Sequence, residues 1–183
     1  MTHAPPTSRL STWLLSGLWG PYSKTALWVA LTTLVIDQAH KWWMLLSFEI
    51  REKGRVAAAP FLDLVYKLNT GISFSLFDSS TYTWQLVLCG FSVLASLALW
   101  GWLAAAGTSR LMAASLGLII GGALGNGIDR AVLGGVLDYL QPHAFGWYWP
   151  TVFNIADVAI VAGVAGLLYD SLVTSRNDAA NPL

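Results

Sequence analysis

The run VFNIADVAIVAGVAGLLY, residues 152–169, decides the fold class. A helix needs about 20 mostly apolar residues to cross the hydrocarbon core of a bilayer. This stretch is nearly that long, and only Asn154 and Asp157 break its apolar character. Working outward, Leu111–Ile128 is a second uncharged run, and Ser79–Ser109 carries no charge at all. Thr25–Ile36 is also uncharged and continues into Trp42-Trp43-Met44-Leu45-Leu46 after only two charges, Asp37 and Lys41. The reading is a single, mainly α integral membrane domain over residues 1–183 with four transmembrane helices, at about 25–47, 83–106, 111–128 and 152–173.

The composition agrees. Of 183 residues, 55% are hydrophobic and 11% charged, with a mean hydropathy of +0.57. An ordinary soluble domain carries about 25% charged residues. Ten Lys and Arg balance ten Asp and Glu, so there is no basic field for nucleic acid. Cys89 is alone, which excludes an internal disulfide and a cysteine-type zinc site. Ten tryptophans suit the interfacial belts of a membrane protein.

The connections differ. Gly107-Thr108-Ser109-Arg110 is a tight turn between the second and third spans. Between the first and second, the alternating run Phe61–Leu68 reads as short strands, a small β-like platform with one face covered. Between the third and fourth lies a Gly- and aromatic-rich extramembrane loop that contains Asp138 and Trp147-Tyr148-Trp149. Leu10, Trp13, Leu14 and Leu18 fall at helical spacing, so the segment 1–24 contains a short interfacial helix rather than a signal peptide. Residues 174–183 read as a flexible tail. Lys and Arg outside the spans divide four against five between the two faces, so charge bias chooses no orientation.

Alternating span direction brings the polar intramembrane residues to one face. Asp37 and Lys41, then Asn126, Asp129 and Arg130, then Asn154 and Asp157 all lie at the end from which the two long connections emerge, with Asn69 and Asp138. The other end is scaffold. Asp37 and Lys41 are four residues apart and share a helix face. They form either an ion pair that makes both charges tolerable or a direct contact to substrate. Asp129-Arg130 reads as structural, with Arg130 an anchor or a partner for a carboxylate. Asn154 either caps the fourth span or orients Asp157. Asp157 has no nearby cation in sequence, Asp138 lies in the otherwise apolar, flexible segment Gly134–Asp138, and a buried unpaired carboxylate is costly unless it is protonated or shares a proton. Two carboxylates sharing a proton can act as base and acid on a water. No histidine offers a competing base, no serine has a paired base, and no metal-ligand spacing is present. The run Gly121–Gly127 reads as small residues for close helix packing rather than a nucleotide loop, because no strand precedes it. Gly163, Ala165 and Gly166 fit the same purpose. A hydrolase, a small transporter and a structural subunit remain open on the residues alone. The lack of any ionisable group between Trp84 and Ala123, apart from Arg110 at the turn and Cys89, argues against a transport path.

Five ordered blocks carry a resemblance over about 37–169: Asp37-Gln38-Ala39-His40-Lys41, Asn69-Thr70-Gly71-Ile72-Ser73-Phe74, Gly122–Arg130, Gly135-Val136-Leu137-Asp138-Tyr139 and Phe153-Asn154-Ile155-Ala156-Asp157. With them the chain resembles the bacterial lipoprotein signal peptidases, signal peptidase II. The resemblance implies an aspartic endopeptidase with Asp138 and Asp157 as its catalytic pair. Asp37, Lys41, Asn69, Gly71, Asn126, Arg130, Asn154 and Ala156 match positions that bind substrate or support the site, and Asp129 a structural one. It implies a multi-pass protein of the bacterial inner membrane with both termini cytoplasmic and the site on the periplasmic side. The implied substrates are diacylglyceryl-modified prolipoproteins, met among membrane lipids, with no cofactor, metal or obligate protein partner. Ser73 replaces a common alanine, Tyr139 a common phenylalanine, and His40 a small or hydroxylated residue.

Overall fold

The computed structural model describes residues 17–71 and 81–180. The helical spacing at residues 10–18 therefore lies almost wholly outside the described residues, as does Ser73. Four long helices, α1 (Ser23–Leu46), α3 (Tyr82–Ala106), α4 (Arg110–Leu133) and α5 (Ile155–Ala180), form the body. A one-turn helix α2 (Ile50–Lys53) and strands β1 (Val56–Ala59) and β2 (Leu62–Asn69) join α1 to α3. Strands β3 (Val136–Ala144) and β4 (Trp147–Tyr148) join α4 to α5.

Helix α4 is the axis, because it alone packs extensively on each of the other three. Its glycines permit this. A Cβ at Gly121 would stand 2.5 Å from Ala30 O on α1, and one at Gly122 2.6 Å from Ala156 O on α5. The close-packing reading of the Gly-rich run is thus correct, and Gly163 answers it from α5 against Ser115. Among the described residues, α3, α4 and Ile155–Val173 of α5 are long and apolar enough to cross a membrane. Helix α1, at 24 residues or about 36 Å, is long enough, but Asp37 and Lys41 interrupt its apolar run. That charge faces inward: Asp37 and Lys41 are buried, while Trp28, Leu31, Val35 and Ile36 are exposed.

Three boundaries differ from the sequence reading. Helix α4 runs on to Leu133, so Asp129 and Arg130 lie inside its last turns rather than beyond its end. Asp129 does not stop the helix because its charge is met within the protein. The stop is Gly134, whose φ of +73° suits the left-handed C-cap. Helix α5 begins at Ile155 and continues to Ala180, into the segment read as a flexible tail. The connection between α4 and α5 is not simply a loop. Its first part is β3, which pairs antiparallel with β2 through Lys67↔Asp138, Leu68↔Leu137 and Asn69↔Val136 in a sheet of order β1-β2-β3-β4. Val136 to Tyr139 are all buried, so this stretch lacks the polar–apolar alternation that marks a half-covered strand.

Candidate functional site

Asp138 on β3 and Asp157 in the first turn of α5 line one cavity of about 350 Å³. Asn69, Asn126 and Arg130 line it too, and Ala123, Ile160 and Val161 form its apolar helical side, with Ser92 beside them. Amides, not cations, hold the two carboxylates. Asn154 Nδ2 donates to Asp138 Oδ1 at 2.7 Å, and Asn69 Nδ2 to Asp138 Oδ2 at 3.1 Å. Asn126 Nδ2 donates to Asp157 Oδ1 at 2.9 Å.

Each amide is itself pinned. Asn69 Oδ1 accepts from Gly71 N at 3.1 Å, and this backbone contact is what Gly71 brings to the site. Asn126 Oδ1 accepts from Lys41 Nζ at 3.0 Å. Asn154 Oδ1 accepts from Asp157 N at 3.0 Å, while Asn154 N donates to Asp157 Oδ2 at 3.1 Å. That reciprocal pair is a capping box closing the start of α5. Asn154 is therefore both the cap and the residue that orients Asp157, and it spans to Asp138 as well. With every amide oxygen engaged, the NH₂ groups have one way to point.

Burial pushes the Asp138 carboxyl up to about 6, and the negative charge of Asp157 pushes in the same direction. The hydrogen bonds from Asn69 and Asn154 oppose both.

Behind this pair lies a second cluster. Lys41 Nζ meets Asp37 Oδ2 at 2.9 Å, Asp129 Oδ2 at 2.8 Å and Asn126 Oδ1 at 3.0 Å, so its three protons are all used. Of the two readings of Asp37 and Lys41, the ion pair is the one observed. Asp37 Oδ1 also accepts from Ala156 N at 3.0 Å, which ties α1 to α5 through the Ala156 backbone. Gly125 makes room: a Cβ there would stand 2.5 Å from Asp37 Oδ2. Asp129 Oδ2 accepts from Leu137 N at 3.1 Å, locking α4 to β3. Arg130 does not pair with a carboxylate among the described residues. Its Nη1 donates to the Asn126 carbonyl at 3.2 Å, and its side chain lines the cavity.

The sequence reading did not single out Gln38. Its Nε2 lies 2.9 Å from Asp129 Oδ1, 3.1 Å from Gly125 O and 3.4 Å from Asp37 Oδ2. The available signal was a lone amide inside an apolar stretch, three residues before Lys41 and so on its face. Gln85 was also passed over; its Nε2 donates to Thr70 O at 2.6 Å and secures the chain after Asn69. His40 stacks on Tyr139, ring centroids 5.0 Å apart, so two departures from the family pattern are in contact.

Fold and site together define a membrane-type helical protein with a carboxylate pair in a cavity beside a small antiparallel sheet. The comparisons narrow this. The profile of the signal peptidase II family matches residues 29–173, and the chain belongs to that family of aspartic-type peptidases. It is 49% identical over 152 residues to a lipoprotein signal peptidase of Methylocella silvestris, covering 81% of this chain and 85% of that one. A lipoprotein signal peptidase of Methylobacterium sp. strain 4-46 is also 49% identical, over 82% of this chain and 91% of its own. One of Rhodopseudomonas palustris is 48% identical, over 78% and 88%. In fold the chain is similar to a bacterial membrane enzyme solved by the in meso method at 2.3 Å, with a TM-score of 0.69 at 24% identity, covering 87% of this chain and 94% of that one.

Proposed function

We propose that this protein removes the signal peptide from diacylglyceryl-modified prolipoproteins by cleaving the peptide bond before the lipidated cysteine, with Asp138 and Asp157 as the catalytic pair. The observation that carries this reading is that both carboxylates face one cavity, each oriented by amides and neither in an ion pair among the described residues. Asp138, whose carboxyl is pushed up to about 6, is a carboxyl raised toward the working pH of a proton donor.

Asp157 takes a proton from water as the water oxygen attacks the scissile carbonyl. Asp138 stabilises the developing oxyanion and gives its proton to the leaving nitrogen. The C–N bond breaks, leaving a signal peptide with a free carboxylate and a lipidated cysteine with a free amine. Asn154, bonded to both carboxyl groups, keeps them in register while charge moves between them. Arg130 supports the site by holding the Asn126 carbonyl. Asp37, Lys41 and Asp129 set the relative positions of α1, α4, β3 and α5.

In this reading α1 is a fourth span, supported by its length and its apolar outer face. Both termini then share the cytoplasmic side of the inner membrane, and the sheet lies on the periplasmic side. The apolar wall of the cavity admits the substrate sideways from the bilayer, and no cofactor takes part.

The test is a gel-shift cleavage assay of purified protein in lipid. It compares a diacylglyceryl-modified precursor, the unlipidated precursor and the Asp157→Asn variant. Cleavage of the lipidated form alone, lost in the variant, is expected. A folded parent that cuts neither precursor overturns the reading.

A further inference from the structure

Beside the cavity of Asp138 and Asp157 is a second one of about 310 Å³, which shares Asn69, Thr151 and Val152 with the first. Its own walls are Lys67, Trp147, Trp149 and Pro150. Lys67 stands directly opposite Asp138 in the β2–β3 register, so both side chains leave the same face of the sheet. Asn69, two residues further along β2, lies on that face too and reaches Asp138. Yet the ion pairs of the described residues, those of Lys41 with Asp37 and Asp129 and of Arg55 with Asp63, leave Lys67 out.

The aromatic wall is built rather than loose. Trp149 N donates to Pro142 O at 2.9 Å, Gln141 Nε2 donates to Trp149 O at 3.1 Å, and the Trp147 and Trp149 rings meet edge-on at 5.1 Å. No lining residue of this second cavity comes from a long helix, whereas the first has Ser92, Ala123 and Ile160. A chain crossing both cavities therefore has its apolar part among the helices and its polar continuation against the sheet.

We propose that the second cavity binds the residues that directly follow the lipidated cysteine, and that Lys67 makes the enzyme favour an acidic side chain there over a basic one. This rests on the function proposed above. The geometry supplies one cation with no ion-pair partner among the described residues, an indole wall for the backbone and small side chains, and continuity with the cavity where the bond is cut. An acidic peptide segment satisfies all of these.

The test uses diacylglyceryl-modified peptides identical except for Asp, Ser or Lys at both positions after the cysteine, cleaved by the full chain in lipid. For the parent, kcat/KM is expected to favour Asp over Lys by roughly tenfold. Lys67→Arg keeps that preference, Lys67→Ala brings the ratio close to one, and Lys67→Glu inverts it. Reading the ratio within each variant separates substrate recognition from any general effect of Lys67 on Asp138, which moves all peptides alike. A ratio unchanged in Lys67→Glu overturns the proposal, as does a uniform loss across the three peptides. So does a dependence on the anionic-lipid content of the vesicle with peptide charge immaterial, which assigns Lys67 to a lipid headgroup. If the folded parent cuts no peptide, the proposed function fails and this proposal fails with it; if it cuts all three equally, only this proposal fails.

Discussion

Two carboxylate pairs sit back to back in this protein, joined through Asn126, and their surroundings are opposite. Asp37 and Asp129 share the ammonium of Lys41 and take further hydrogen bonds from Ala156 N, Leu137 N and Gln38. Among the described residues, Asp138 and Asp157 receive side-chain hydrogen bonds from amides alone, and both open onto a cavity. In the first pair the charges hold four elements together and no proton on Lys41 is spare. In the second, burial and the neighbouring charge of Asp157 make the Asp138 carboxyl hold its proton to unusually high pH. A saturated ion cluster is therefore the foundation, and the under-neutralised pair beside it is the place for proton transfer.

The contrast breaks most visibly if the amide-held pair proves dispensable. Asp138→Asn and Asp157→Asn are each expected to lower cleavage of a lipidated precursor more than about 1,000-fold, measured on protein that remains folded and monodisperse. Full activity in either variant removes that residue from the proposed pair.

Lys41 tests the other side. Lys41→Met leaves two carboxylates facing each other in a site where Lys41 is 1% exposed. The expected cost is about 3–5 kcal/mol, read as a lowered denaturant midpoint in detergent. Adding Asp37→Asn and Asp129→Asn should recover much of it, because the uncompensated charges are then gone. A Lys41→Met protein as stable as its parent but inactive would instead put Lys41 in contact with substrate.

Acidity sharpens the comparison with a smaller effect. Folded Asp138 binds its proton more tightly than the unfolded chain does, with its carboxyl near 6 rather than 3.8. Stability from this group is thus greatest below the unfolded value and declines as pH rises through about 6, by up to about 3 kcal/mol. Asp157→Asn should flatten that decline, since it removes a charge that raises the Asp138 carboxyl. In kinetics, kcat/KM is expected to fall above pH about 6 as the proton donor is lost. The fall in kcat should lie higher, because an apolar substrate excludes more water from the site.

Much of this was legible in the sequence wherever partners are close along the chain. Asp37 with Lys41 and Asn154 with Asp157 lie within one helical turn, and spacing alone placed each pair on a common face. The glycines of residues 121–127 announced close packing in the same way. Partners brought together by tertiary structure were not legible. Arg130 read as an anchor or a partner for a carboxylate, and which group each of Asp129 and Arg130 meets was not in the sequence, because neighbours on a helix point about 100° apart. Asp129 consequently faces α1 and Lys41, while Arg130 faces the cavity. The strand character of Val136–Tyr139 was hidden for a related reason: burial of every residue erased the alternation on which strand recognition depends.

Gln38 belongs to that second class, and its substitution should give the smallest of these effects. Its amide is half-buried and donates to Asp129 and to the Gly125 carbonyl, on the side of the cluster that Lys41 does not reach. Gln38→Leu keeps the bulk but removes the donor, leaving Asp129 Oδ1 without it, for an expected loss of about 1–2 kcal/mol. Gln38→Glu is nearly identical in shape yet adds a third carboxylate to the cluster, so it should cost more than leucine does. If glutamate and leucine destabilise equally, the amide serves only to fill space between α1 and α4. If glutamate is distinctly worse, and the difference shrinks in Asp129→Asn, then Gln38 supplies the fourth arm of a charge cluster that Lys41 alone leaves one proton short.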